Sequence, residues 1–158
     1  TTTDVAAAAR LMAFIYVVHA DAITACFEAK YFYGTWRPLS AIPLADTDGN
    51  AATVADAAWT PVLPTPNHPE YPAAHSCTAG GLGETLRRYY GTRNVVYSFD
   101  SLVTGTTRTY ATTDALSEES QVARLYGGMH FRFATVDGVT LGTDVARWVA
   151  ERHFGRRN

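Results

Sequence analysis

The sequence is poor in cysteine and has no excess of charge of one sign. Its 158 residues include two cysteines, Cys26 and Cys77, too few for a disulfide framework or a cysteine-rich metal motif. Whether these two pair is left open. Thirteen basic and 15 acidic residues are mixed along the chain, which gives a formal net charge of -2. We therefore expect no basic nucleic-acid-binding face and no nucleic-acid partner.

The sequence also lacks a long uninterrupted hydrophobic run. Its longest apolar stretch, residues 5–26, contains Arg10, His19 and Asp21, which favours a buried core helix over a membrane span. No secretory leader is visible and the chain opens on Thr1, so we expect a processed or truncated product. We expect a soluble protein whose compartment the sequence does not define, although secretion is compatible with it.

Apolar periodicity predicts that most of the chain is helical. Leu11, Ile15 and Val18 follow the three–four spacing of one helix face, and Gly34 and Pro38 end that helix. Four helices are predicted, over residues 4–33, 75–90, from 114 or 117 to 127, and 130–153. A chain of this length fits one domain, so we predict an all-α helical bundle over residues 1–158.

Two segments between these helices lack helical periodicity. Residues 38–72 hold all seven prolines, and Trp59, Leu63 and Tyr71 are apolar anchors that indicate a long ordered loop. Residues 95–110 are rich in Thr and Val, which favours a short hairpin. Long ordered loops usually carry function, so the helix ends that border them are the candidate sites.

Cationic and histidine side chains form three groups along the chain, and two of these groups lie at the helix ends that border the proline-rich loop. Lys30 and Arg37 lie at the end of the first helix and on the loop that follows it. His75 lies where the proline-rich loop enters a helix, a position whose free amides favour an oxyanion. Taken alone, each group has an ordinary explanation, because a lysine complements a helix C-terminus and a histidine can cap or pack at a helix start.

The third group is Arg124 and His130, which are six residues apart. On an unbroken helix this spacing separates two side chains by about 120°. The two side chains can converge if the helix bends at the glycine pair Gly127 and Gly128. Without such a bend, the histidine would be an ordinary core residue.

In sequence order the three groups form the pattern Lys-x6-Arg-Pro, Pro-x-x-His and Arg-x5-His. This pattern resembles the signature shared by vanadium-dependent haloperoxidases and the type 2 phosphatidic acid phosphatase superfamily. The resemblance implies a helical bundle in which Lys30, Arg37 and Arg124 bind vanadate or phosphate through charge-assisted hydrogen bonds. It implies that His130 coordinates vanadium or, in a phosphatase, attacks phosphorus. His75 matches the acid–base histidine.

Two details of the second motif refine this resemblance. The segment His-Pro-Glu-Tyr-Pro-x-x-His places His68 seven residues before His75, as in the algal bromoperoxidases, which implies a position near the halide. The family's usual Pro-Ser-Gly-His is Pro-Ala-Ala-His here, which loses a serine hydroxyl at Ala73. The amide N–H of Ala74 remains as a candidate oxyanion donor.

The carboxylate partner of His130 is expected to be missing. In the phosphatases a carboxylate follows the third-motif histidine by one helical turn, and Ala134 occupies that position here. We expect the acidic residues Glu28, Asp56 and Glu70 to lie on the solvated surface. A nucleophilic histidine depends on an orienting partner, so this expectation weakens the phosphatase alternative.

Three functions follow from the resemblance. The first is a vanadium-dependent haloperoxidase that uses hydrogen peroxide to oxidise halide, bromide more readily than chloride. The second is an acid phosphatase of the same fold, which would hydrolyse a phosphomonoester through a phosphohistidine at His130. The third is a catalytically weakened storage or anion-binding protein.

The family's haloperoxidases are longer than this chain and carry a second helical bundle that covers the active one. We therefore expect the chain to be the C-terminal part of a longer protein, or to form a homo-oligomer. The candidates for the apolar surface that would then be covered are Phe14, Tyr16, Trp148 and Phe154.

Overall fold

The first helix, α1 (Val5–Tyr33), is bounded by two caps. Its N-cap is Asp4, whose carboxylate accepts hydrogen bonds from the amides of Ala6 and Ala7. Its C-cap is Gly34, which adopts a left-handed conformation with φ of 59°. The predicted end of this helix at Gly34 is confirmed.

The computed structural model describes residues 4–155. After α1 come a short helix, three longer helices and a hairpin: α2 (Pro38–Ala41), α3 (Ala74–Tyr90), β1 (Tyr97–Asp100), β2 (Thr107–Tyr110), α4 (Ala115–Tyr126) and α5 (Arg132–His153). The strands pair antiparallel, with Tyr97 opposite Tyr110. The all-α helical bundle with a short hairpin, as predicted, is therefore the observed fold.

Helices α3 and α5 approach each other closely because glycines line their contact. A Cβ atom added to Gly142 would lie 1.8 Å from the carbonyl oxygen of Cys77, and one added to Gly80 would lie 2.5 Å from that of Val139. Any side chain at either position would force the helices apart.

Helix α1 is buried along a single face, which Phe14, Val18, Ala22, Cys26 and Lys30 form. The helix predicted to lie in the core is therefore buried along this one face. By length and composition, the segment Val5–Ala41 is long and apolar enough to cross a membrane, and 22% of its most apolar window is buried. One such helix near the N-terminus is weak support for a span, because core helices of soluble proteins share these properties.

The small hydrophobic core lies between α1 and α5. Phe14 is 3% exposed, and its ring stacks on Phe154 at 4.5 Å between centroids. Phe14 was expected at an apolar surface, and that expectation is wrong because it is buried in the core, whereas Phe154 is partly buried. Tyr16 and Trp148 are exposed, as expected of such a surface. Cys26 and Cys77 are buried and not joined by a disulfide.

The proline-rich loop crosses the junction between α4 and α5. Gly128 at this junction has a positive φ of 71°. A Cβ added there would lie 3.2 Å from the Trp59 ring, and Leu63 donates its N–H to the Gly127 carbonyl at 3.3 Å. The loop therefore packs against the junction, immediately before His130.

Candidate oxyanion site

The end of α1 delivers two cations to one buried region. Lys30, in the last turn of α1, is fully buried, and Arg37 is 6% exposed. Arg37 has an extended backbone before Pro38, as the sequence predicted, and is the N-cap of α2. The Lys30 ammonium donates to the carbonyl oxygens of Pro69 and Glu70 at 2.8 and 3.0 Å. Both cations thus reach the loop that precedes α3.

Arg37 connects all three sequence motifs. Its Nε donates to the carbonyl oxygen of His68 at 3.0 Å, and its Nη2 contacts Nδ1 of the same residue at 3.0 Å. Its Nη1 donates to the Met129 carbonyl oxygen and contacts Nε2 of His130, both at 2.9 Å. Four of the five guanidinium hydrogens are therefore engaged by these neighbours.

The α4–α5 junction brings Arg124 and His130 to the same region. Helix α4 ends at Tyr126, and α5 begins at Arg132. The sequence predicted that this last helix begins at His130, two residues earlier. His130 is therefore on the turn between the two helices, so the 120° separation from Arg124 that an unbroken helix would impose does not apply. The Arg124 Nε atom is buried and has no hydrogen-bond partner among residues 4–155.

Glu70 is the residue that sequence reasoning missed. It is fully buried, and its Oε1 accepts hydrogen bonds from Nδ1 of His130 and the amide of Phe131, both at 2.9 Å. Two expectations are therefore wrong, because Glu70 does not lie on the solvated surface and His130 does not lack a carboxylate partner. Its position inside the His68–His75 segment was the one available signal. Glu28 and Asp56 are exposed, as expected.

His75 lies in the first turn of α3, behind the N-cap residue Ala73. The amide N–H groups of this first turn, including that of Ala74, have no acceptor within the helix. His75 is exposed, whereas Lys30, Arg37 and His130 are buried. Partial desolvation and the nearby positive charges, led by Arg124, lower the pKa of His75 to about 4.

Burial decides the charge state of the other site residues. It lowers the pKa of Lys30 from 10.5 to about 8 and lowers the pKa values of Arg37 and Arg124. It also lowers the pKa of His130, although the hydrogen bond to Glu70 opposes the shift. Near neutral pH the cluster therefore contains three cations beside a neutral His130. This charge balance suits an oxyanion.

His75 also borders a cavity of about 510 Å³. The cavity runs beside α3, between α1 and α4, and its lining is mostly apolar, including Met12, Ile15, Leu82 and Phe99. Its polar lining residues include His19 and Ser120. His75 therefore stands between the cationic cluster and an apolar cavity. No group of three or more His, Cys, Asp or Glu that could hold a metal ion occurs within residues 4–155.

The chain matches a family model over residues 10–156, and that model describes the second helical-bundle domain of VCPO. It also resembles the crystal structure of the first bacterial vanadium-dependent iodoperoxidase, with a TM-score of 0.82 and 29% sequence identity. That match covers 94% of this chain and 34% of the iodoperoxidase chain. No curated protein sequence matches the chain significantly.

Two structures of a bacterial vanadium-dependent chloroperoxidase share the fold. The apo form has a TM-score of 0.63 and 19% identity, over 86% of this chain and 36% of that one. The holo form has a TM-score of 0.66 and 20% identity, over 89% of this chain and 35% of that one. The chain thus spans about a third of the length of the structures it resembles.

The fold, the matched family model and the iodoperoxidase structure define the class as a helical-bundle domain of the vanadium haloperoxidase superfamily. Within that superfamily, the chain belongs to the family of the second helical-bundle domain of VCPO.

Proposed function

We propose that this chain is the oxyanion-binding bundle of a vanadium-dependent haloperoxidase that oxidises halide with hydrogen peroxide. The observation that carries the proposal is the 2.9 Å contact between Arg37 Nη1 and His130 Nε2 inside a buried cationic cluster. This contact places a ring nitrogen that can act as a ligand among the side chains that would neutralise vanadate. Arg37 must release this nitrogen when the oxyanion binds.

The residues present fit vanadate. Lys30, Arg37 and Arg124 supply positive charge, and the buried Arg124 Nε has no acceptor among the described residues. A buried donor without an acceptor is costly, so an oxyanion that accepts from it would be stabilised. Together with His130 and the Ala74 amide, these three cations would hold the group. When bound, vanadate supplies the Lewis-acidic centre that activates hydrogen peroxide.

His75 is the proposed acid–base residue. Its lowered pKa of about 4 leaves the ring neutral near pH 7. The negative charge of a bound oxyanion would raise this pKa towards the range in which a histidine accepts a proton from hydrogen peroxide. His68 is the proposed halide-side residue, because its Nδ1 contacts Arg37 and it lines a recess of about 440 Å³ with Arg37 and Asn67. Iodide and bromide are more easily oxidised than chloride. The likeness to an iodoperoxidase therefore favours an easily oxidised halide, iodide or bromide, over chloride.

A phosphatase is the second candidate, and the Glu70–His130 hydrogen bond favours it. A histidine with its Nδ1 held by a carboxylate has the orientation that a phosphorus nucleophile needs. The missing carboxylate that weakened this candidate is therefore supplied from another part of the chain. A phosphomonoester would then be the substrate, and His130 would carry the phosphoryl group.

The experiment that separates these functions measures two activities on one sample. Bromide oxidation with hydrogen peroxide is assayed with and without orthovanadate, and phosphomonoester hydrolysis is assayed in parallel. Bromination that requires vanadate supports the peroxidase, whereas hydrolysis that vanadate inhibits supports the phosphatase. If both activities are absent but vanadate binds, the chain is either a storage or anion-binding protein or an incomplete part of the enzyme.

The complete active protein is proposed to contain more than this chain. Tyr16 is 65% exposed and Trp148 is 49% exposed, although both are large apolar side chains. We propose that a preceding helical bundle or a second copy covers them. Sedimentation of the purified chain would distinguish a homo-oligomer from a monomer that awaits another bundle.

A further inference from the structure

The hydrogen bonds of His130 determine which of its ring nitrogens carries the proton. Arginine has only donors, so the contact of Arg37 Nη1 with Nε2 requires Nε2 to accept. An ionised carboxylate only accepts, so the contact of Glu70 Oε1 with Nδ1 requires Nδ1 to carry hydrogen. Arg37 and Glu70, on opposite sides of the ring, therefore both favour the tautomer of His130 with hydrogen on Nδ1 and a lone pair on Nε2.

Glu70 is itself held rigidly by three further contacts. Its amide donates to the Thr35 carbonyl oxygen at 3.0 Å, and its own carbonyl oxygen accepts from Lys30 at 3.0 Å. Its Oε1 also accepts from the Phe131 amide at 2.9 Å. Through its backbone and its carboxylate together, Glu70 therefore connects the end of α1, the loop before α3 and the turn before α5.

We propose that Glu70 is a positioning residue, which fixes the Nδ1-protonated form of His130 and thereby presents the Nε2 lone pair to the oxyanion. This inference rests on the proposed function, because it treats His130 as the residue that contacts the oxyanion. A carboxylate behind a ligating histidine raises the basicity of the ligand and fixes its ring, and its loss typically weakens binding about 10- to 100-fold.

Vanadate and phosphate bind this site differently if the proposal is correct. Vanadate requires the Nε2 lone pair, so its affinity depends on the tautomer and orientation of His130. Phosphate that remains non-covalently bound requires only the cations Lys30, Arg37 and Arg124. Removing the Glu70 charge would leave its affinity unchanged or raise it, because a negative charge near the anion is lost.

The test compares Glu70→Gln and Glu70→Leu with wild type on the full chain. Glutamine keeps an acceptor oxygen of the same reach, whereas leucine removes it. The ring tautomer of His130 is read by two-dimensional 1H–15N NMR, and vanadate and phosphate affinities are measured by calorimetry. Glu84→Gln is the matched control, because Glu84 is also buried and lies among arginines on α3. Thermal melting establishes that each variant is folded.

The tautomer is read with phosphate bound, when Arg37 has released Nε2 to the anion and Glu70 is the partner that still selects the proton position. In this complex we expect the Nδ1-protonated tautomer in wild type and in Glu70→Gln, and its loss in Glu70→Leu. Vanadate affinity should fall about 10- to 100-fold in Glu70→Leu and less in Glu70→Gln, with phosphate affinity retained. An unchanged tautomer in folded Glu70→Leu, or a parallel loss of both affinities, would overturn the proposal. If wild type binds vanadate no better than phosphate, the proposed function fails, and the tautomer result still decides the role of Glu70.

Discussion

Two buried glutamates of this protein lie near cations, but they differ in their hydrogen-bond partners. Glu84 on α3 binds Arg87 at 2.6 Å and Arg88 at 2.8 Å, and both of its oxygens are engaged. Among residues 4–155, the Glu70 carboxylate is hydrogen-bonded through one of its two oxygens, and its side-chain partner is the neutral ring of His130. The cations beside Glu70 therefore are not neutralised by direct ion pairs with it.

This difference separates a structural cluster from a candidate binding site. The arginines of the Glu84 cluster are partly exposed, with 42% of the Arg87 side chain and 32% of that of Arg88 accessible to solvent. Lys30 and Arg37 are buried and donate to carbonyl oxygens and ring nitrogens. Buried cations whose charge is not locally balanced create a stronger field for an anion than partly exposed pairs do.

The largest expected effect is that of His130→Ala. Removal of the proposed ligand should lower vanadate-dependent bromide oxidation by about a thousandfold or more, because it removes the contact between the protein and the reacting centre. Initial rates at saturating vanadate measure this effect. Turnover equal to that of wild type would show that His130 is not at the reacting centre.

Arg37→Lys should have the next largest effect. A lysine cannot make the four contacts that the planar guanidinium makes with His68, Met129 and His130. Vanadate affinity should therefore fall about 10- to 100-fold, which corresponds to about 1.5 to 3 kcal/mol for a lost charged hydrogen bond. Arg87→Lys in the Glu84 cluster is the control and should leave the affinity unaltered. Equal losses in the two variants would contradict the distinction between the clusters.

The pH dependence of anion affinity should reflect the deprotonation of Lys30. Its pKa of about 8 in the folded protein means that the cation is lost as pH rises through 8. Affinity for the oxyanion should then fall by up to about tenfold per pH unit above 8, because binding requires proton uptake. The difference in pH profile between wild type and Lys30→Met isolates this effect from ionisation of the anion. Identical slopes for the two proteins would remove Lys30 from the site.

The same shift has an opposite consequence for stability. The folded pKa of Lys30 is below its ordinary value of 10.5, so the unfolded chain binds more protons between pH 8 and 10.5. The contribution of Lys30 to the free energy of unfolding should therefore increase as pH rises through this window. Urea denaturation of wild type and Lys30→Met at several pH values measures it, and a decrease specific to wild type would contradict the shift.

The smallest expected effect is that of Glu84→Gln. Its arginine partners can turn to solvent when the charge is removed, and ion pairs with exposed partners contribute about 0 to 1 kcal/mol. Vanadate affinity should be unchanged, and the melting temperature should fall slightly. A loss of affinity in this variant would mean that the two clusters are coupled through α3.

Local sequence signals were sufficient to predict those features that depend on residues close together along the chain. Gly34 has no Cβ penalty in its left-handed conformation, so it could be recognised as the end of α1. Gly128 similarly marked the turn that separates α4 from α5. The position of Arg37 followed from the restriction that Pro38 imposes on the preceding residue.

Burial of loop residues could not be predicted in the same way. Glu70 lies in a segment without periodicity, so no pattern indicated which way its side chain points. The stacking of Phe14 on Phe154 depends on how the two ends of the chain pack together. The spacing of residues along one helix carries no information about that packing. These were the points at which the sequence predictions were wrong.

By itself, the sequence determined the helical segments, their glycine and aspartate caps, and the ordered set of lysine, arginine and histidine residues. Only the tertiary structure decided that these residues share one buried region and that Glu70 is the partner of His130. The physical reason is that helix formation and capping depend on contacts within a few residues. The partner of His130, by contrast, is 60 residues away along the chain, and only the packing of loop and helix ends brings the two together.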